Sequence, residues 1–197
     1  ISIAGVSCLA LRISFTGDLG WEIYCEENKQ QIVYEALIRE AVIEKGGPVG
    51  SRALMSLRIE KGYGSWGREY SPEVWPHECG LDRLCNLNKE FLNKANFLKN
   101  LKNNPRERLV LIHLNEEDCN SSNADPTGGE PIFKNGKGLG RITSGAYGYS
   151  VGMSLALGYV KDLGPGDAVE VMVLGKPHRG KILESPPFDA EGTILRG

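Results

Sequence analysis

The sequence predicts an α+β protein, with a mixed first part of hairpin and helices and a small all-β second part, a barrel or a sandwich. Three observations carry this. Residues 9–25 alternate apolar and polar as a hairpin does. Residues 29–45 and 51–61 repeat their apolar positions at helical spacing. After residue 105, short β-rich runs separated by Gly-rich turns take over. With 25 Gly and 10 Pro in 197 residues, the chain needs more turns than the ~12% of an average composition supplies.

In the first part, Leu9, Leu11, Ile13 and Phe15 alternate with Ala10, Arg12 and Ser14. Thr16-Gly17-Asp18-Leu19-Gly20 is a turn. Trp21, Ile23 and Cys25 then share one face, with Glu22 and Tyr24 on the other. Ile32, Val33, Ala36, Leu37, Ala41 and Val42 make one helical stripe, closed by Gly46-Gly47-Pro48. A second helix over 51–61 turns Leu54, Leu57 and Met55 inward, and a loop with Trp66 packed on the first part follows. Asn and Lys crowd residues 90–105, where a linker holding a short helix (Phe91, Leu92, Phe97, Leu98, Leu101) is expected. This divides the chain into domains over 1–95 and 104–197. The strands expected next are 109–114, 131–134, 139–143, 155–160, 169–173 and one near 181–183, and Asn135-Gly136 marks a two-residue hairpin. There is no internal repeat.

The net charge of −2 excludes a nucleic-acid binder that works by bulk charge. No run approaches the ~18 apolar residues of a membrane span. The chain starts at Ile1 inside an apolar run without a leader, so a piece of a longer protein is expected. Five scattered cysteines (Cys8, Cys25, Cys79, Cys85, Cys119) with no C-x-x-C point to free thiols rather than a disulfide framework. The sequon Asn120-Ser121-Ser122 is then accidental.

Gly62-Tyr63-Gly64-Ser65-Trp66-Gly67 is a literal G-x-G-x-x-G. A dinucleotide site needs that pattern between a strand and a helix. Here a helix precedes it and none follows, so a packed Gly-rich loop is expected. His77-Glu78-Cys79 lacks a second ligand pair, and no metal site is expected. Two residues have chemistry that could exceed a solvated charge. Glu22, on the polar face of the hairpin, can accept two parallel N–H bonds from an amino-pyrimidinone such as a pterin. Arg52, opening the second helix, can grip a carboxylate with its planar fork.

Arg12-Ile13-Ser14-Phe15-Thr16-Gly17-Asp18-Leu19-Gly20-Trp21-Glu22-Ile23-Tyr24 resembles the hairpin of the folate-binding aminomethyltransferase family. That family includes the glycine-cleavage T-protein and the C-terminal parts of dimethylglycine and sarcosine dehydrogenases. Leu57-Arg58-Ile59-Glu60-Lys61, Trp66-Gly67-Arg68-Glu69 and Pro76-His77-Glu78-Cys79-Gly80-Leu81 resemble further family motifs, in order. So do Gly129-Glu130-Pro131-Ile132, Ile142-Thr143-Ser144-Gly145 and Leu155-Ala156-Leu157-Gly158-Tyr159-Val160. Lys61, Trp66-Gly67 and Leu174-Gly175-Lys176 lean toward the dehydrogenase branch.

The resemblance implies the C-terminal part of a T-protein-like folate-binding domain followed by a small antiparallel β-barrel. It implies transfer of a one-carbon unit from an oxidised methylated glycine to tetrahydrofolate, with Glu22 contacting the folate. It further implies that the catalytic Asp and the FAD domain lie in earlier segments, so no catalytic residue is assigned here. The compartment implied is bacterial cytoplasm or mitochondrial matrix, without nucleic-acid or membrane partners. Two alternatives share the architecture: a T-protein-like aminomethyltransferase, and a non-catalytic subunit resembling the pyruvate dehydrogenase phosphatase regulatory protein. The family's folate-contacting Arg falls at Leu54 in this chain, so its role does not transfer to Arg52. Pro72-Glu73-Val74-Trp75-Pro76 and residues 119–125 depart from the family pattern.

Overall fold

The computed structural model describes residues 1–115 and 125–197. Cys119 and the sequon lie outside the described residues.

The chain opens with two short antiparallel ladders. β1 (Ser2–Ile3) pairs with β2 (Val6–Ser7), and β3 (Leu9–Leu11) pairs with β4 (Glu22–Tyr24). The strands are shorter than the alternation over 9–25 suggests, because Arg12 to Trp21 loops out between them. The helix α1 (Gln30–Ile43) follows. Its apolar stripe is largely uncovered: Val33 is buried, while Ile32, Leu37 and Val42 are exposed. The strands and helices of the described residues leave that side open.

The helix α2 (Ser51–Glu60) buries an unexpected set of residues. Leu54 is exposed and Leu57 and Met55 are only half-buried, whereas Ser56, Arg58, Ile59 and Glu60 are buried. Burial therefore concentrates on the last turn, where the helix meets the barrel. The helix ends in a Schellman motif: Gly62, at φ +70°, donates to Ile59 O, and Tyr63 donates to Arg58 O. Gly62 is thus a helix stop rather than the first glycine of a phosphate loop. Trp66 is 78% exposed and does not pack as expected. The expected short helix is present as α3 (Lys94–Leu101), anchored by the buried Phe97, although Leu92 lies outside it and is exposed.

The rest is a closed six-stranded antiparallel barrel. Its strands are β5 (Arg108–Leu114), β6 (Pro131–Lys134), β7 (Lys137–Gly148), β8 (Met153–Val160), β9 (Ala168–Val173) and β10 (Lys176–Ile182). Around the barrel the order is β10-β5-β8-β7-β6-β9. Asn135 and Gly136 both have positive φ and turn β6 into β7, as a two-residue primed turn requires. The interior is filled at period two, as with Val169, Val171 and Val173 of β9. β8 is covered on both faces. Ala156 and Val160 face the interior cluster, while Leu155 and Leu157 pack with Ile59 of α2 and Leu111 of β5. A short terminal helix, α4 (Thr193–Arg196), ends the chain. No helix of the described residues is long and apolar enough to cross a membrane.

Candidate functional site

Glu22 sits at the start of β4, opposite Leu11. Residues two apart on a strand share a face, so Tyr24 stands beside it and its hydroxyl donates to Glu22 Oε2 at 2.5 Å. That bond, with the charge behind it, pushes the Tyr24 hydroxyl above its ordinary pKa. Both residues are exposed. Leu9, paired with Tyr24 across the ladder, is exposed on the same face, so the carboxylate stands in an open, partly apolar surface. Glu22 retains acceptor capacity on both oxygens. It does not line a cleft of about 930 Å³ whose walls include Lys61, Tyr63, Tyr70, Arg83, Arg108 and Leu183. Arg52 is also exposed, in the first turn of α2.

A buried polar network lies between α2, the loop that follows it and the barrel. Arg58 and Glu69 form an ion pair at 3.1 Å. Glu69 Oε2 also accepts from Ser65 N at 2.8 Å, and its Oε1 accepts from Thr143 Oγ1 at 2.7 Å and Ser144 Oγ at 2.5 Å. Tyr159 donates to the Glu69 main-chain oxygen at 2.8 Å. Burial alone would raise the Glu69 pKa. The bonds from Ser144, Ser65 and Thr143 and the guanidinium charge outweigh it, and the carboxyl is held below its ordinary value. Burial also lowers the pKa of Arg58 against the pull of Glu69. Arg58 Nε and Nη2 have no hydrogen-bond partner among the described residues.

A second buried pair links the hairpin, α2 and the chain end. Lys61 Nζ stands 3.1 Å from Asp189 Oδ2, and the same ammonium donates to the Asp189 carbonyl. The Lys61 stem lies under the hairpin turn: a Cβ added to Gly17 would fall 2.5 Å from Lys61 Cδ. Glu78 caps the loop before the barrel, accepting from Trp75 N and, bidentately, from Arg106.

The structure thus places Glu22 on an exposed face of the hairpin, and forms two buried pairs, Arg58 with Glu69 and Lys61 with Asp189, that sequence reasoning did not single out. The available signal was charge inside an otherwise apolar stretch, Leu57-Arg58-Ile59-Glu60-Lys61, where three charged residues flank one isoleucine.

Residues 1–89 match the family described as "GCVT N-terminal domain", and residues 108–189 match "Glycine cleavage T-protein C-terminal barrel domain". The chain is 37% identical to mitochondrial dimethylglycine dehydrogenase of Rattus norvegicus, over 100% of this chain and 23% of that protein. It is 29% identical to an aminomethyltransferase of Desulforamulus reducens, over 96% of this chain and 51% of that one. The crystal structure of glycine cleavage system aminomethyltransferase T from Bartonella henselae shares the fold, with a TM-score of 0.80 and 24% identity, covering 92% of this chain and 50% of that one. The chain therefore spans about half the length of the aminomethyltransferase and less than a quarter of the dehydrogenase.

Proposed function

This chain belongs to the folate-binding, glycine-cleavage T-protein-like aminomethyltransferase family, and from that premise we propose that it forms part of the tetrahydrofolate site of a dimethylglycine or sarcosine dehydrogenase-like protein. The proposal divides the chain into the C-terminal portion of the folate-binding domain, residues 1–95, and a barrel domain, residues 104–197.

The observation that carries the reading is the exposed carboxylate of Glu22, set in a surface with apolar neighbours and oriented by Tyr24. Such a carboxylate fits a pterin, whose ring N–H and exocyclic amine present two parallel donors. Tetrahydrofolate, when bound, supplies the nitrogens that take up the one-carbon unit. Glu22 would fix the ring, Tyr24 would hold the carboxylate in place, and the flanking apolar groups would cover the ring face. The methylated glycine would be bound in the same full-length protein. FAD finds no cradle in the G-x-G-x-x-G stretch, where Gly62 ends a helix.

The test is tetrahydrofolate binding by the full-length protein, wild type against Glu22→Ala. Loss of a charge-assisted bidentate contact of about 2–3 kcal/mol corresponds to a drop of roughly 30- to 150-fold in affinity. Equal affinity in both proteins would overturn the assignment. The uncovered apolar side of α1 favours a second reading, a non-catalytic module that binds another protein. That reading predicts no turnover of methylated glycines by the full-length protein.

A further inference from the structure

We propose that Cys8 and Cys25 are a reversible disulfide site, closed across two antiparallel strands by exchange with a small-molecule disulfide. In the β3–β4 ladder Leu9 pairs with Tyr24, Ala10 with Ile23 and Leu11 with Glu22. One step further along the same register sets Cys8 against Cys25. The main chain of Cys8 shows which kind of pair this is. Its N–H donates to Ile1 O at 2.9 Å, and its carbonyl accepts from the Ile1 amino group at 3.0 Å. Both groups face Ile1, just ahead of β1, so the register continued one step past its last pair, Leu9–Tyr24, makes Cys8 and Cys25 a non-hydrogen-bonded pair. Cα atoms at such positions lie about 4.5 Å apart, with the side chains closest. That falls within the ~4.4–6.8 Å window of disulfides.

The two side chains share the face of Ala10 and Ile23, opposite Glu22 and Tyr24. Cys8 is buried and Cys25 half-buried, and both are thiols. Cys8 Sγ rests 3.5 Å from Val6 O on its own strand. Cys79 and Cys85 likewise donate to carbonyls of their own turns.

The exchange balances with oxidised glutathione as the oxidant. Cys25, the more exposed thiol, loses its proton and attacks one sulfur of glutathione disulfide. A Cys25–glutathione bond forms and one glutathione thiolate leaves. Cys8, deprotonated in turn, attacks the Cys25 sulfur and expels the second glutathione thiolate, and the two thiolates take up the two protons. Two protein thiols are oxidised and one disulfide is reduced to two thiols. The bridge closes the loop that carries the Thr16–Gly20 turn and Glu22.

The experiment treats the full-length protein with oxidised glutathione, alkylates remaining thiols under denaturing conditions, and maps the digest by mass spectrometry. The expected result is a peptide pair joined through Cys8 and Cys25 as the main form of both residues. It should disappear on reduction and be absent from Cys25→Ser, with Cys79 and Cys85 recovered alkylated. Recovery of Cys8 and Cys25 both alkylated, both capped by glutathione, or joined to other cysteines would overturn the proposal.

Discussion

The guanidinium of Arg58 stands 3.1 Å from the carboxylate of Glu69, and neither side chain has any exposed surface. Arg58 belongs to α2, and Glu69 is held by hydroxyls of the barrel strand β7. The pair thus bridges helix, loop and barrel. Removing one partner strands the other in a dry site, at a cost of about 3–5 kcal/mol. Glu69→Gln and Arg58→Met should each lower the unfolding free energy by that amount, read as a lower denaturation midpoint. The double variant Arg58→Met/Glu69→Leu should lose less than the sum of the single changes.

Acid should loosen the loop before the barrel. The bidentate Arg106 contact, with the bond from Trp75 N, lowers the Glu78 pKa from 4.5 to about 2 against the opposing effect of burial. Because the folded value is depressed, the unfolded chain binds the proton first as pH falls. The stabilisation is whole above pH 4.5 and fades toward pH 2. Urea titrations across that window should show a slope that flattens in Glu78→Gln.

Gly140 has no room for a side chain. A Cβ there would lie 2.2 Å from Tyr159 O, a backbone atom of the paired strand. Gly140→Ala should open the β7–β8 ladder and cost about 3 kcal/mol or more, visible as a lower thermal midpoint and lost amide protection at Tyr159.

Lys61→Met should free the chain end. Asp189 loses its ammonium partner, and hydrogen exchange over residues 189–197 should speed up while the barrel interior stays protected. The Asp189 carboxyl is held below its ordinary pKa despite burial, by bonds from Thr193 and Lys61. In the wild type the same loosening should set in as pH falls below the ordinary Asp value and deepen as the solution becomes strongly acid.

Expressed as residues 1–197 alone, the chain should self-associate. Leu9, Trp21, Tyr24, Tyr34, Leu37 and Ile43 are all exposed, and so much uncovered apolar surface favours association. Light scattering and a concentration-dependent melt would show it, and a reversible monomeric transition would contradict it.

The barrel was the most legible part. Val169, Val171 and Val173 recur at every second position, and Asn135-Gly136 is a turn that few other dipeptides can make. Period two survives in sequence where a strand has one covered face, as in β9 and β10, and fails in β8, which is covered on both. α2 was harder. Its buried positions carry Ser56, Arg58 and Glu60, whose partners Tyr147, Glu69 and Ser150 lie far along the chain. A hydrophobic pattern is blind to polar groups satisfied at long range. α1 misled in the opposite direction, since its apolar stripe is present but uncovered. Glu22 could be placed on the polar side of its strand, but its use of Tyr24 as a clamp depends on side-chain geometry that spacing only permits.

β8 has no free side: one face fills the barrel and the other carries α2. The barrel is therefore not a module that could be excised or exchanged at a linker. A recombination event delivering a foreign barrel would also have to deliver the outward leucines that seat the helix, which ties the inheritance of the two halves together.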